Sequence, residues 1–554
     1  MRKLLLLLII SIEAFPLYAQ QKYWIEFTDK NNSPYSISNP SAYLSARALA
    51  RRTKYNIPVQ FNDLPPNPAY IDSVVSKGVS LLNRSGWLNA ISISASDTND
   101  LALVRLLPFV KGTRHITVAG PVRKPSQKSA FREIGGTARV LGADTLNYGL
   151  AYAQYHMIGV DCLNNMGYRG KGKQIAVIDT RFGIANTLPA FDTVMQRNQI
   201  LGTWDFVLEN SNVYDASNSD NHGQMVFGCM AGNLSNYLGD AMDADYYLLR
   251  TEDISSEYII EDDNWASAAE YADSAGADII TSSLGYSTFD DPATNFTYAD
   301  MNGRTANASI AATIASEKGM VVCVAAGNDG GDSWQYIDSP ADADSILTVG
   351  AVDINGTYAS FSSTGPTSDG RIKPDVVAQG EYPAVCWPTG GVSYANGTSF
   401  ATPIIAGAVA SLWQAHPNAS NFTIMQAIKQ SASRYNSPGD SLGYGIPNFC
   451  LASTIIANGL SVNNLAPLII LNKVYPNPFD NSITADVYSS VRQNVSVKLI
   501  NSIGQVVYDA SQTVAANGNT LISINGLNSL ASGLYLVMVS DQNGTNYSGK
   551  VIKQ

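Results

Sequence analysis

The chain has 554 residues, with 35 Lys and Arg against 46 Asp and Glu and a formal net charge of −11. At roughly 100 to 200 residues per domain it holds three or four units, and its acidity argues against a nucleic-acid partner. The five cysteines, Cys162, Cys229, Cys323, Cys386 and Cys450, lack the close pairing of a zinc site or a small disulfide scaffold, and read as buried small hydrophobes with one disulfide at most.

Met1-Arg2-Lys3, the apolar stretch 4–10 and Leu17-Tyr18-Ala19 have the layout of a secretory signal over 1–19, with a cut expected after Ala19. That stretch is too short to span a bilayer, for which about 20 residues are needed, and no later run reaches that length. The mature product is expected to be soluble. Residues 20–120 then alternate between strand and helix patterns: a strand at 22–27, a helix at 68–76 stopped by Gly78, strands at 79–82 and 88–93, a helix at 97–106 and a strand at 109–116. This is the split βαβ order of a small α+β, ferredoxin-like domain. Residues 21–133 carry fifteen Lys/Arg against seven Asp/Glu, so the acidity lies downstream and a basic leader faces an acidic body. The polar stretch 121–144, with Arg123, Lys124, Lys128 and Arg132, reads as an exposed linker and a processing site.

Over 145–457 the pattern changes to short, nearly continuous apolar runs at 175–178, 279–282, 320–325 and 346–349, separated by helical stretches such as 265–275 and 308–318. Buried parallel strands look like that. The expected fold is α/β, a mostly parallel sheet with helices on both faces and functional groups at the carboxyl ends of its strands. After a linker at 458–472, Tyr475-Pro476-Asn477-Pro478-Phe479 opens a third unit, 473–554. Its alternating strands at 495–500, 521–524, 534–539 and 547–552 imply a small all-β sandwich.

The strongest chemical signal is Asn396-Gly397-Thr398-Ser399-Phe400-Ala401-Thr402-Pro403, ahead of an apolar helical run through Trp413. A serine entering a helix from a Gly-rich loop sits where the helix dipole favours developing negative charge, which suits a nucleophile. Serine needs a base, normally histidine, and a carboxylate to orient it. His115 lies in the leader, His156 in a segment ahead of the first central strand, and His416 at the far end of the Ser399 helix. His222 instead enters a helix of small residues. Asp179 closes the apolar strand ahead of it, and Asn328 follows another strand within Ala325-Ala326-Gly327-Asn328-Asp329-Gly330. An Asn amide there can stabilise a carbonyl oxyanion. Taken singly, His222 could cap a helix, Asp179 form a turn and Asn328 occupy a left-handed turn.

Together these four blocks resemble the subtilase family of serine peptidases, and the order Asp, His, Ser is the one found in subtilisin. The resemblance implies a secreted serine endopeptidase made as a zymogen, with Asp179, His222 and Ser399 catalytic and Asn328 as oxyanion donor. It further implies that the backbones of Ser283, Leu284 and Gly285 and of Ala325, Ala326 and Gly327 flank an extended peptide substrate, with broad specificity. The leader resembles subtilase propeptides, which makes it an expected partner of the catalytic domain. The tail resembles the C-terminal sorting domain of type IX secretion substrates, through 475–479, Ile503-Gly504-Gln505, Gly533-Leu534-Tyr535 and 550–553. Secretion machinery is thus a further expected partner, and the destination is the exterior or the cell surface. The chain departs from the family in carrying Gln224 and Met225 where Thr and His usually follow the His-Gly pair, and Arg181 where Gly is common. No cofactor is implied. Calcium occurs in resembling proteins, but there is no EF-hand spacing and no ligand is assigned. The expected state is a monomer. The competing expectation is a catalytically silent scaffold serving as a surface adhesin, and an esterase using the same three residues is a third.

Overall fold

A computed structural model of the protein describes residues 21–116, 146–458, 469–489, 492–515, 518–541 and 546–554. The expected signal at 1–19 and linker at 121–144, and most of the linker at 458–472, lie outside the described residues.

The N-terminal unit runs β1 (Gln21–Phe27), α1 (Ala46–Tyr55), α2 (Pro68–Val75), β2 (Ser80–Ser85), β3 (Ala90–Ala95), α3 (Thr98–Arg105) and β4 (Val110–His115). Its antiparallel sheet has the order β2-β3-β1-β4, the split βαβ arrangement. Helix α2 begins at a Pro whose missing N–H costs nothing there, and the Asn67 side chain accepts the Ala69 N–H at 3.0 Å. Helix α1 was not expected. Its buried residues are Ala48, Arg51 and Arg52, so no apolar stripe announces it.

The central unit opens with α4 (Tyr152–Met157), α5 (Val160–Asn165), β5 (Gln174–Asp179), α6 (Asp192–Gln196), β6 (Ile200–Asp205) and α7 (His222–Ala231). It continues through the short β7 (Asn233–Leu234) and β8 (Tyr237–Leu238) to β9 (Asp245–Arg250), α8 (Ile260–Ala275), β10 (Ile279–Ser282), α9 (Asn307–Glu317) and β11 (Val321–Ala325). Then follow β12 (Leu347–Val352), β13 (Val376–Gln379), β14 (Ala384–Cys386), β15 (Val392–Tyr394), α10 (Thr398–Ala415), α11 (Asn421–Ser431) and α12 (Phe449–Ala457). The main sheet has seven parallel strands in the order β13-β12-β11-β10-β5-β9-β6. Alternate side chains feed two cores. Ile175, Val177 and Ile279 pack with Met225, Phe227, Ile404 and Ile405 of α7 and α10 on one face, and Ala176, Ile178 and Ile280 pack with Trp265, Ala268, Ala308 and Ala312 of α8 and α9 on the other. Burial on both faces is why these strands read as unbroken apolar runs. β5 sits between β9 and β10, where the strand order reverses, and a crevice beyond the carboxyl ends is expected at such a point.

Helix α8 starts at Ile260, five residues before the expected 265. Asp262 in its first turn accepts the Asn307 and Ala308 N–H groups at 2.9 and 3.0 Å, so an apparently loop-like acidic stretch caps the start of α9. Cys162 of α5 and Cys450 of α12 form a disulfide across 288 residues, while Cys229, Cys323 and Cys386 are free and buried.

The C-terminal unit consists of β16 (Ile469–Tyr475), β17 (Ile483–Ser489), β18 (Gln493–Asn501), β19 (Val506–Val514), β20 (Gly518–Ile524), β21 (Gly533–Ser540) and β22 (Asn546–Lys553). These form two antiparallel sheets, β16-β17-β20 and β19-β18-β21-β22, around a core that includes Ile483, Val497, Val537 and Val551. The expected sandwich is present.

The basic leader meets the acidic body directly. Glu270 of α8 accepts the Ser85 hydroxyl and the Gly86 and Trp87 N–H groups, the latter two at 2.7 and 3.0 Å. Arg51 and Arg52 both pair with Asp273, Arg114 pairs with Asp263 at 2.7 Å, and Asn83 donates to the Phe206 carbonyl at 2.9 Å. Most of these groups are buried, so removing one partner would strand a desolvated charge.

Candidate active site

Asp179 is the first polar residue after the run Ile175-Ala176-Val177-Ile178, so the strand that buries those four ends with a carboxylate at the mouth of the sheet. Its Oδ1 accepts the Thr180 N–H at 2.8 Å and lies 2.5 Å from His222 Nδ1, while Oδ2 is buried with no hydrogen-bond partner. A carboxylate facing Nδ1 fixes the proton on that nitrogen and leaves Nε2 as the basic one. Burial alone would make His222 harder to protonate, but the Asp179 carboxylate, with Asp220 and Glu252 farther off, outweighs it and raises the imidazole pKa above its ordinary 6.5.

Ser399 is the second residue of α10 and 4% exposed. The turn into the helix is made at Gly397, whose φ of 153° few other residues adopt. Pro403 lies one turn further on and has no N–H to give to the Ser399 carbonyl. The Ser283 hydroxyl takes that carbonyl instead, at 2.8 Å, and the Ser399 hydroxyl reaches the Ser283 carbonyl at 3.5 Å. The helix-interior proline thus couples the serine to the chain leaving β10.

Asn328, exposed, follows β11. Its Oδ1 accepts the Thr398 N–H at 2.9 Å and the Thr398 hydroxyl at 3.1 Å, so the Nδ2 donors are at the opposite end of the amide. The Thr398 hydroxyl also reaches the Gly327 carbonyl at 3.2 Å.

The structure therefore joins Asp179 to His222, Ser399 to Ser283, and Asn328 to the residue before Ser399. The His222 ring lies 6.2 Å from that of Phe400, the residue after Ser399. Ser283, Leu284 and Gly285 leave β10, Ala325 ends β11, and Ala326 and Gly327 follow it, all at the same edge of the sheet. The departing residues sit in structural roles. The Gln224 side chain accepts the Ile184 N–H at 2.8 Å, Met225 is wholly buried, and Arg181 lies 3.6 Å from Asp205, which Arg250 also engages at 2.8 Å. Among the described residues, one group could hold a metal ion: Glu252, Glu257 and Glu261 bring carboxylate oxygens within 4.8 Å of one another. Acidic side chains commonly gather without an ion, and the trio assigns none.

Two acids beside the site escaped the sequence reading. Asp329 follows Asn328, and Asp338 comes from the loop ahead of Pro340. Burial, reinforced by the Asp329 charge, pushes the Asp338 carboxyl well above the usual range. An Asp before Ser-Pro looks like any turn former, and the long-range pairing of Tyr286 with Ser339 helps bring it to the site.

Comparison with known proteins bears on the family of each unit. Residues 170–446 match the Subtilase family, 22–132 a Peptidase S8 propeptide domain of Bacteroidota, and 473–554 a secretion system C-terminal sorting domain. Subtilisin E of Bacillus subtilis (strain 168) is 31% identical over 309 residues, spanning 55% of this chain and 69% of its own length. A thermophilic serine proteinase of Bacillus sp. (strain AK1) is 33% identical over 278 residues, 50% of this chain and 60% of its own. Subtilisin-like protease SBT6.1 of Arabidopsis thaliana is 28% identical over 325 residues, 55% of this chain and 28% of its own. The sorting domain marks the protein for secretion or attachment at the cell surface. With a matching domain that spans half of its length and a propeptide ahead of it, the chain belongs to the subtilase family and is a subtilisin-like serine peptidase.

Proposed function

We propose that the protein is an endopeptidase in which His222 Nε2 takes the Ser399 proton as the hydroxyl attacks a peptide carbonyl. Asp179 holds the imidazole and stabilises the imidazolium. The Asn328 amide and the Ser399 backbone N–H stabilise the tetrahedral oxyanion, and His222 returns the proton to the leaving amine. Water, activated by the same base, then hydrolyses the acyl-enzyme. The peptide lies extended between 283–285 and 325–327, held by backbone hydrogen bonds. The N-terminal unit restrains this site until a cut within 121–144 frees it. The observation that carries the reading is the 2.5 Å contact of Asp179 with His222, set at the sheet edge where α10 presents Ser399.

Hydrolysis of casein by the processed protein tests the proposal. Wild type should cleave casein and Ser399→Ala should not. Cleavage of short acyl esters with casein left intact would contradict an endopeptidase, and casein cleavage retained in Ser399→Ala would contradict the assigned nucleophile.

A further inference from the structure

Between the two segments proposed to flank the substrate lies a carboxylate. A Cβ added to Gly285 would meet both the Cβ and Oδ2 of Asp338 at 3.0 Å, and a Cβ added to Gly327 would meet the same Oδ2 at 2.6 Å. One oxygen can press on both glycines only if the side chain occupies the gap between 283–285 and 325–327. The backbone holds it there. The Asp338 N–H donates to the Ala326 carbonyl at 3.4 Å, and Ser339 exchanges hydrogen bonds of 2.7 and 3.2 Å with Tyr286. β10 and β11 are parallel neighbours, with Ser282 opposite Val324, so the two segments leave the sheet side by side and Asp338 spans their exits.

This carboxylate also lacks a counter-charge. Asp338 is 5% exposed, and although Asp329, Ser287 and Trp334 stand within hydrogen-bonding reach of its carboxyl, its Oδ1 is left without a partner. Among the described residues no Lys, Arg or His pairs with either Asp338 or Asp329, whereas the buried Asp63, Asp205, Asp273 and Asp375 each hold a base. A buried carboxyl with no cation beside it is costly to ionise, and a cation delivered by a ligand removes that cost.

We infer that Asp338, seconded by Asp329, selects lysine or arginine as the substrate residue whose carbonyl is attacked. The inference rests on the proposed peptidase site. A peptide carbonyl placed at Ser399 and Asn328 sends the side chain on its acyl side into the gap between the two segments. Gly285 and Gly327 add no side chain of their own between the segments, so a long cationic side chain entering there meets the Asp338 carboxylate. Shorter apolar side chains leave Asp338 buried without a cation, and an acidic one repels it. Backbone pairing stays sequence-tolerant at the other substrate positions, so breadth and selectivity coexist.

The test compares peptide amides that differ only in the residue before the scissile bond, lysine against its uncharged isostere norleucine, and glutamate. Processed wild type should show kcat/KM for lysine at least about tenfold above norleucine, with glutamate lowest. Asp338→Asn should bring the lysine-to-norleucine ratio close to one, and Asp329→Asn should lower it partway. If Asp338→Asn does not fold, the wild-type ratio and Asp329→Asn still decide. A wild type that is labelled at Ser399 by a fluorophosphonate yet cleaves norleucine as well as lysine overturns the inference and leaves the peptidase reading standing. A wild type that is neither labelled nor active on any of these peptides overturns both.

Discussion

His222 carries two opposing influences, burial and the Asp179 carboxylate, and the second prevails. The proposed mechanism needs the imidazole neutral in the free enzyme, so kcat/KM should fall on the acid side with a midpoint above 6.5, measured as a pH profile. Asp179→Asn removes the stabilising partner, which should move that midpoint down and cut kcat by on the order of 10⁴-fold. Asn328→Ala should cost about 10²- to 10³-fold in kcat with little change in KM, the range subtilisins show on losing this amide. These side chains stood out in the sequence because the proposed chemistry calls for residue type, loop and helix entry together. Asp338 was not legible. Its position depends on Tyr286 pairing with Ser339, a contact across 53 residues that no local pattern encodes.

Strands and helices explain what else could and could not be read. The strands of the main sheet appear as apolar runs because both faces are covered, and helices α3 and α9 follow their apolar pattern closely. Helix α1 is invisible to such a reading because Arg51 and Arg52, not an apolar stripe, fasten it to Asp273. The start of α8 was missed for a similar reason, since its acids are buried, Asp262 as a cap of α9 and Asp263 against Arg114. Asp375, at the entry to β13, is held by Lys373 at 2.7 Å and by Lys429 of α11 at 2.5 Å. Despite the opposing effect of burial, these two lysines bring its carboxyl down to about 2 from an ordinary 3.8. A depressed folded pKa stabilises above the unfolded value and loses that contribution as pH falls through the folded one, here between about 3.8 and about 2. Asp375→Asn, which leaves two lysines facing no charge, should cost roughly 3 to 5 kcal/mol near neutral pH, and the gap from wild type in denaturant melts should narrow below pH 3.8. The Cys162–Cys450 disulfide closes a long loop between α5 and α12, so Cys450→Ser should lose about 2 to 5 kcal/mol, read from thermal melts under oxidising conditions.

Across the three units, the charge contrast between leader and body becomes a set of buried pairs over α8 and its neighbours. Glu270 serves three donors of the N-terminal unit at once. Glu270→Ala strands them, and the separated propeptide should then inhibit the processed enzyme roughly tenfold or more weakly in inhibition titrations. The lysine or arginine preference inferred for the site also bears on maturation, because 121–144 contains Arg123, Lys124, Lys128 and Arg132. A self-processed enzyme should start directly after one of these residues, which N-terminal mass spectrometry would show. The most direct test of the account is to map the covalent adduct of a fluorophosphonate on the processed protein. A single phosphonyl mass on the peptide containing Ser399, lost in both Ser399→Ala and His222→Ala, is the result predicted here. An adduct on another serine, or undiminished labelling without His222, would contradict it.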